Sequence, residues 1–243
     1  MGAQRLRSCF RRLYITCWAA LALAAPGTPV KAQTAVDLQL IMAVDASGSV
    51  STERFELQRK GYVAAFRDKQ VLNAIRGAAN QSIAVAMFQW TGPALQAEIV
   101  PWTLVKDEAS AESVASLMAT TPRRIFSGGT SLSGAIDYSM ALFPRSPFKS
   151  ERRVIDISGD GSNNRGRSVT RARDEAVAVG VVINGLPILA VEPDLDTYYK
   201  GNVIGGPGAF MVVAKDFETF ADAILKKMIL EIAARPPTRI VKR

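Results

Sequence analysis

The stretch Leu38-Gln39-Leu40-Ile41-Met42-Ala43-Val44-Asp45-Ala46-Ser47-Gly48-Ser49-Val50-Ser51 decides how the chain is read. Residues 38–44 are almost continuously apolar, as expected of a strand covered on both faces in a parallel sheet. A polar loop follows, with Ser49 or Ser51 placed to cap a helix that starts near Thr52. Within that loop a carboxylate and two hydroxyls, Asp45, Ser47 and Ser49, recur at every second residue, and Gly48 lets the backbone turn tightly. Such oxygens can converge on a small hard cation, which suits Mg²⁺, Mn²⁺ or Ca²⁺. Three donors are too few for a six-coordinate ion, so more are expected elsewhere.

Reading outward, Phe55, Tyr62 and Phe66 mark the buried stripe of the helix, while Glu53, Arg54, Arg59, Lys60 and Lys69 face water. Residues 82–90 form a second apolar strand. Residues 94–105 form a third, where Pro101 lacks a donor and points to a sheet edge. Asp107 caps a helix through Met118, and 123–130 is a glycine-containing loop. Leu132, Ala135, Ile136, Ser139, Met140 and Phe143 carry helical spacing, ended by Pro144. Then come a strand at 153–158, a loop at 159–167, a helix at 168–179 and a strand at 181–189. A short strand at 210–214 precedes a last helix capped by Asp216, with Phe217, Phe220, Ala221, Ile224, Leu225, Met228 and Ile232 on one face. The alternation predicts an α/β fold: a doubly wound, mostly parallel central sheet flanked by helices, with one edge hairpin strand. Trp90 and Trp102 are expected in the core, and Asp156, inside an apolar strand, as a buried hydrogen-bonded carboxylate.

The 243 residues divide into three parts. In residues 1–32, Arg5, Arg7, Arg11 and Arg12 precede an apolar run at 13–25, and Val30-Lys31-Ala32 offers a cleavage site before Gln33. That order is a secretory signal peptide, and 13 apolar residues are short of the roughly 20 a membrane helix needs. Residues 33–235 form one domain, and 236–243 a basic tail expected to be disordered. Cleavage lowers the net charge from +8 to +3 and removes both cysteines, Cys9 and Cys17. The basic pI is therefore a property of the leader and gives no ground for nucleic-acid binding. The mature chain is expected in the periplasm or outside the cell, with no transmembrane segment.

Histidine is absent from the whole sequence. Ser-His-Asp triads and His-ligated zinc are thereby excluded, and no phosphate-binding glycine loop occurs. Loops at the carboxyl ends of parallel strands share one crevice. Two further polar loops qualify, Ser127-Gly128-Gly129-Thr130-Ser131 and Ser158-Gly159-Asp160-Gly161. Thr130 and Asp160 raise the oxygen donors to five.

With those five residues in place, the chain resembles a von Willebrand factor type A (vWA) domain with a metal-ion-dependent adhesion site, and is similar to secreted bacterial proteins made of that domain alone. The resemblance implies that Ser47, Ser49 and Thr130 bind a cation directly, with Asp45 and Asp160 acting mostly through water. One coordination position is then left for an Asp or Glu of a protein partner, which makes the domain a binding device and not an enzyme. Ser158-Gly159-Asp160-Gly161 departs from the family's more frequent Thr-Asp-Gly. Arg123, Arg124, Arg165 and Arg167, with Arg171 and Arg173, are expected to ring the site and favour an acidic partner. The alternative is a haloacid-dehalogenase-like phosphatase with Asp45 as nucleophile. It lacks an acid two residues on, where Ser47 stands, and another near Asn164.

Overall fold

Leu38–Asp45 is buried at every position, and it runs through the middle of a five-stranded sheet. The structure, a computed structural model, describes residues 33–234. The expected signal peptide at 1–32 and the basic tail at 236–243 lie outside the described residues. In chain order the elements are β1 (Thr34–Ala35), β2 (Leu38–Asp45), α1 (Thr52–Arg67), α2 (Lys69–Arg76), β3 (Ile83–Trp90), β4 (Gln96–Val105), α3 (Glu108–Thr120) and α4 (Leu132–Leu142). They continue with β5 (Phe148–Lys149), β6 (Arg153–Gly159), α5 (Val169–Ala178), β7 (Val181–Pro187), α6 (Leu195–Tyr198) and α7 (Phe220–Ala233).

The sheet order is β4-β3-β2-β6-β7. All neighbours are parallel except β4, which returns antiparallel along β3 as the expected edge hairpin strand. Pro101 and Trp102 together face the single residue Ala86, where the register slips. That bulge places the residue without an N–H where the ladder is already interrupted.

Strand alternation divides β2 between two cores. Leu40, Met42 and Val44 pack with Phe55, Tyr62 and Phe66 of α1 and with Phe220 and Met228 of α7. Ile41 and Ala43 pack with Ile136, Ala172 and Tyr199 on the other face. Covered on both sides, β2 has no polar face, and this is why its sequence reads as a run and not as an alternation. Trp90 is buried, and the half-buried Trp102 donates its indole N–H to Leu142 O at 3.0 Å.

Four expectations need correction. The segment 210–214 is no strand: Gly206 and Gly208 take positive φ, and the turned chain rejoins β7 only in the bridges Gly185↔Met211 and Ile188↔Ala214. Asp216 does not cap α7. Its carboxylate accepts from the Thr219 N–H and hydroxyl, both at 2.8 Å, one turn too early, and Thr219 takes the cap position. Ala221 is exposed, while Lys227 and Glu231 of the same helix are buried. Finally, α2 and α6 had no counterpart in the sequence reading; α2 starts where Asp68 accepts from the Gln70 N–H at 2.7 Å.

Both described ends lie at the amino ends of the parallel strands. There β1 pairs with β5, and Ile232, Ala233 and Ala234 share a cleft with Val36 and Asp37. The crevice at the carboxyl ends is on the opposite side of the sheet. Among the described residues no helix is long and apolar enough to cross a membrane.

Candidate metal centre

Asp45 ends β2, and the loop after it is pinned by its own backbone and side chains. Ala46 N–H donates to Trp90 O at 2.9 Å, Ser47 N–H to Asp45 Oδ1 at 2.7 Å and Val50 N–H to Ser47 O at 3.1 Å. Ser51, not Ser49, caps α1 by accepting from Arg54 N–H, which leaves the Ser49 hydroxyl uncommitted to the helix. Gly48 N–H donates to Gly128 O at 3.2 Å and so ties the loop to the second one. Gly128 has φ +128, and a Cβ there would meet Thr91 Oγ1 at 2.4 Å. Only glycine allows that approach.

The three loops meet. Ser47 Oγ lies 3.2 Å from Ser49 Oγ, Ser49 Oγ donates to Asp160 Oδ1 at 2.6 Å, and Asp160 N–H donates to Asp45 Oδ2 at 3.3 Å. Thr130 is clamped by the third loop: its N–H donates to Asn164 Oδ1 at 2.9 Å, and its carbonyl accepts from Asn164 and Arg165 N–H. A Cβ on Gly161, the residue after Asp160, would lie 3.4 Å from Thr130 Oγ1. Asp45, Ser47, Thr130 and Asp160 are buried and Ser49 is exposed, so the cluster opens to solvent at Ser49. The departure at Ser158-Gly159 has a local reason. A Cβ at Gly159 would come within 3.0 Å of both Asp45 Oδ2 and Tyr199 Oη.

Burial pushes the Asp45 carboxyl up to about 7, and the charge of Asp160 adds to this against the hydrogen bonds from Ser47. Asp160 is raised by burial, opposed by its bond from Ser49 and by Arg54. Asp160 Oδ2 has no hydrogen-bond partner; its nearest cation, Arg54 Nη1, is 3.9 Å away. Gln58 Oε1, Trp90 Nε1 and Tyr199 Oη are likewise buried and unpartnered. Gln58 Nε2 donates to Asp45 O at 3.2 Å, and a Cβ at Gly159 would come within 3.2 Å of Trp90 Cζ2 and 3.0 Å of Tyr199 Oη. Among the described residues no three His, Cys, Asp or Glu cluster. The donor set is therefore two carboxylates and three hydroxyls, which fits a hard cation. It fits a nucleophile less well, because Asp45 is fully buried and Asn164, where a phosphatase needs an acid, is bonded to Thr130.

A model of the family described as "Protein of unknown function (DUF1194)" matches residues 35–236. The chain belongs to that family. No curated protein matches it in sequence. Its fold is that of solved vWA domains. The pilus adhesin SpaC from Lactobacillus rhamnosus GG superposes with TM-score 0.61 at 15% identity, over 84% of this chain and 31% of that one. Proximal thread matrix protein 1 from the mussel byssus, solved with a zinc-occupied MIDAS motif, gives 0.57 at 14%, over 83% and 47%. The von Willebrand factor type A protein from Catenulispora acidiphila gives 0.56 at 14%, over 82% and 43%. This chain thus spans less than half the length of each.

In this DUF1194 chain the arginine rim is smaller than expected. Arg123 is no rim residue: its guanidinium donates to Ala46 O at 3.0 Å and Ser47 O at 3.4 Å and props up the loop from behind. Arg167 is neutralised by Asp137 at 2.5 Å and Glu175 at 2.7 Å, while Arg171 and Arg173 pair with Glu175 and Asp174. Arg124 and Arg165 are exposed and have no ion-pair partner among the described residues. A Cβ on Gly129 would meet Arg165 Cγ at 2.4 Å, so Arg165 lies across the loop that carries Thr130. Arg54, expected only to face water, donates Nη1 to Ser49 O at 2.9 Å; on a polar helix face it looks like any solvated cation. Asn164 clamps Thr130, a role whose one sign in the sequence is Asn163-Asn164 after Asp160-Gly161-Ser162.

Proposed function

We propose that this DUF1194 chain is an exported, cation-dependent protein-binding module of the adhesion type. The observation that carries the reading is the buried pair Asp45 and Asp160, joined through Ser47 and Ser49 and open to solvent at Ser49, with Arg54, 3.9 Å from Asp160, as the one side-chain cation paired with them among the described residues. In this reading Ser47, Ser49 and Thr130 bind Mg²⁺, Mn²⁺ or Ca²⁺ directly, and Asp45 and Asp160 hold the ion's water and orient the hydroxyls. The bound cation supplies a positive centre that an Asp or Glu of a protein partner completes. In this reading the site's activity is binding without reaction. Export to the periplasm or beyond rests on the leader-like order of residues 1–32.

Isothermal titration with Mg²⁺ and Mn²⁺ tests the site, with Asp45→Ala as the control. Heat released by the wild type and absent from the variant is the expected result, and equal heats overturn the assignment. Capture from an envelope extract, with cation in one arm and chelator in the other, then tests the partner.

A further inference from the structure

Phe126 is the most exposed of the large apolar side chains, at 64%, and it is not loose. Its loop is fastened to the sheet where Arg124 and Ile125 N–H donate to Gln89 Oε1 at 2.8 and 3.3 Å. It is fastened again to the ion-binding loop where Gly128 O accepts from Gly48 N–H. The ring itself lies against Arg123, whose guanidinium carbon is 5.3 Å from the centres of both Phe126 and the buried Phe55. One guanidinium is thus stacked between two rings while it holds the carbonyls of Ala46 and Ser47. One ring of the stack is core, and the other offers its free side to solvent beside the candidate ion.

A phenyl ring fixed outward by its neighbours buries apolar area only when something covers it. The charges flanking it say what that something is: the unpaired rim groups Arg124 and Arg165 are both positive. We propose that this rim docks a protein segment in which an Asp or Glu stands within three residues of a bulky apolar side chain. The carboxylate goes to the ion, a point that rests on the function proposed above, and the apolar side chain packs on Phe126. Ring and ion loop are linked through a single guanidinium, and an extended segment rises about 3.3 Å per residue, so neighbouring side chains can reach both. Arg165 and Arg124 then sit beside the segment's acidic part.

The test is selection of short random peptides displayed on phage, on the immobilised exported chain, in Mg²⁺ and in chelator, with Phe126→Ser and Asp45→Ala in parallel. In Mg²⁺ the wild type should enrich peptides with Asp or Glu near Phe, Trp, Leu or Ile. Phe126→Ser, at an exposed position, should keep the acidic preference, lose the apolar one, and bind the wild-type peptides about tenfold more weakly. The proposal is overturned if wild-type peptides are acidic without apolar bias, if that bias persists in Phe126→Ser, or if the wild type enriches nothing in Mg²⁺. Mg²⁺ heats in titration without enrichment refute the Phe126 surface alone. Enrichment that is unchanged by chelator and by Asp45→Ala refutes the ion-dependent function, and with it the carboxylate half of this proposal.

Discussion

Two pairs of buried carboxylates sit on the same sheet and are balanced in different ways. Asp156 on β6 and Glu231 on α7 share Lys227, whose Nζ is 2.8 Å from an oxygen of each. Asn184 donates to Glu231 at 2.5 Å, and the ammonium sits 5.0 Å from the centre of the Phe210 ring. Asp45 and Asp160, at the end of the same strand layer, have only hydroxyls, backbone N–H groups and a guanidinium 3.9 Å away. The first pair carries its cation in the sequence. The second has no buried side-chain cation of its own, and under the proposed function its cation comes from solution, which is the physical difference between a structural ion cluster and a binding site.

The sharpest way to break the comparison is to remove the built-in cation. Lys227→Met leaves two buried carboxylates without a counter-charge, so urea unfolding should show a loss of about 3–5 kcal/mol, while the Mg²⁺-induced rise in melting temperature persists. Replacing Lys227, Asp156 and Glu231 together by apolar residues of similar volume should recover most of that loss. Failure of the triple variant to recover would mean that the cluster does more than anchor α7.

The next largest effect is on pH. The Asp45 carboxyl titrates near 7 in the fold against an ordinary 3.8, so between those values the folded chain holds a proton that the unfolded chain has lost. Its contribution to stability is complete below about pH 4 and is lost as pH rises through 7, a fall of at most about 4 kcal/mol. Asp156 is also raised, by burial against the pull of Lys227, and contributes with the same sign, so Asp45→Asn is the control that isolates Asp45. Chelated protein should melt higher at pH 5 than at pH 8, and Asp45→Asn should flatten that slope. A wild-type slope unchanged in the variant would remove Asp45 as its source.

A smaller change is expected at Asp160. In Asp160→Asn the stabilisation by saturating Mg²⁺, about 2.7 kcal/mol at a hundredfold excess over Kd, should disappear, with little change in the chelated protein. The smallest effect belongs to the rim. Arg124→Glu with Arg165→Glu should slow association with an acidic peptide severalfold at low salt and hardly at all at 0.5 M, where the screening length is short. Stopped-flow rates at both salt concentrations decide this.

The same contrast explains what could be read in the sequence. The three candidate loops were legible because each follows or precedes a strongly periodic element and holds its donors within a few residues. The five-stranded sheet was legible because strands covered on both faces read as apolar runs. Lys227 and Glu231 were not legible, because four residues apart on a helix they look like a solvated pair, and the partner that buries them, Asp156, lies on a distant strand. Arg123 and Arg167 misled for the same reason. A guanidinium near a site in sequence faces the partner only if nothing nearer claims it, and Ala46 O, Asp137 and Glu175 do. Segment 210–214 carries strand-like residues, but Gly206 and Gly208 turn its approach to β7 into two bridges.

The position of the described ends has a practical meaning. Gln33 and Ala234 both lie at the amino ends of the strands, and the candidate loop 45–51 stands at the other end of β2, whose eight residues span about 26 Å. A fluorophore or a bead joined at Gln33 or Ala234 is therefore held a full strand length behind the candidate loops.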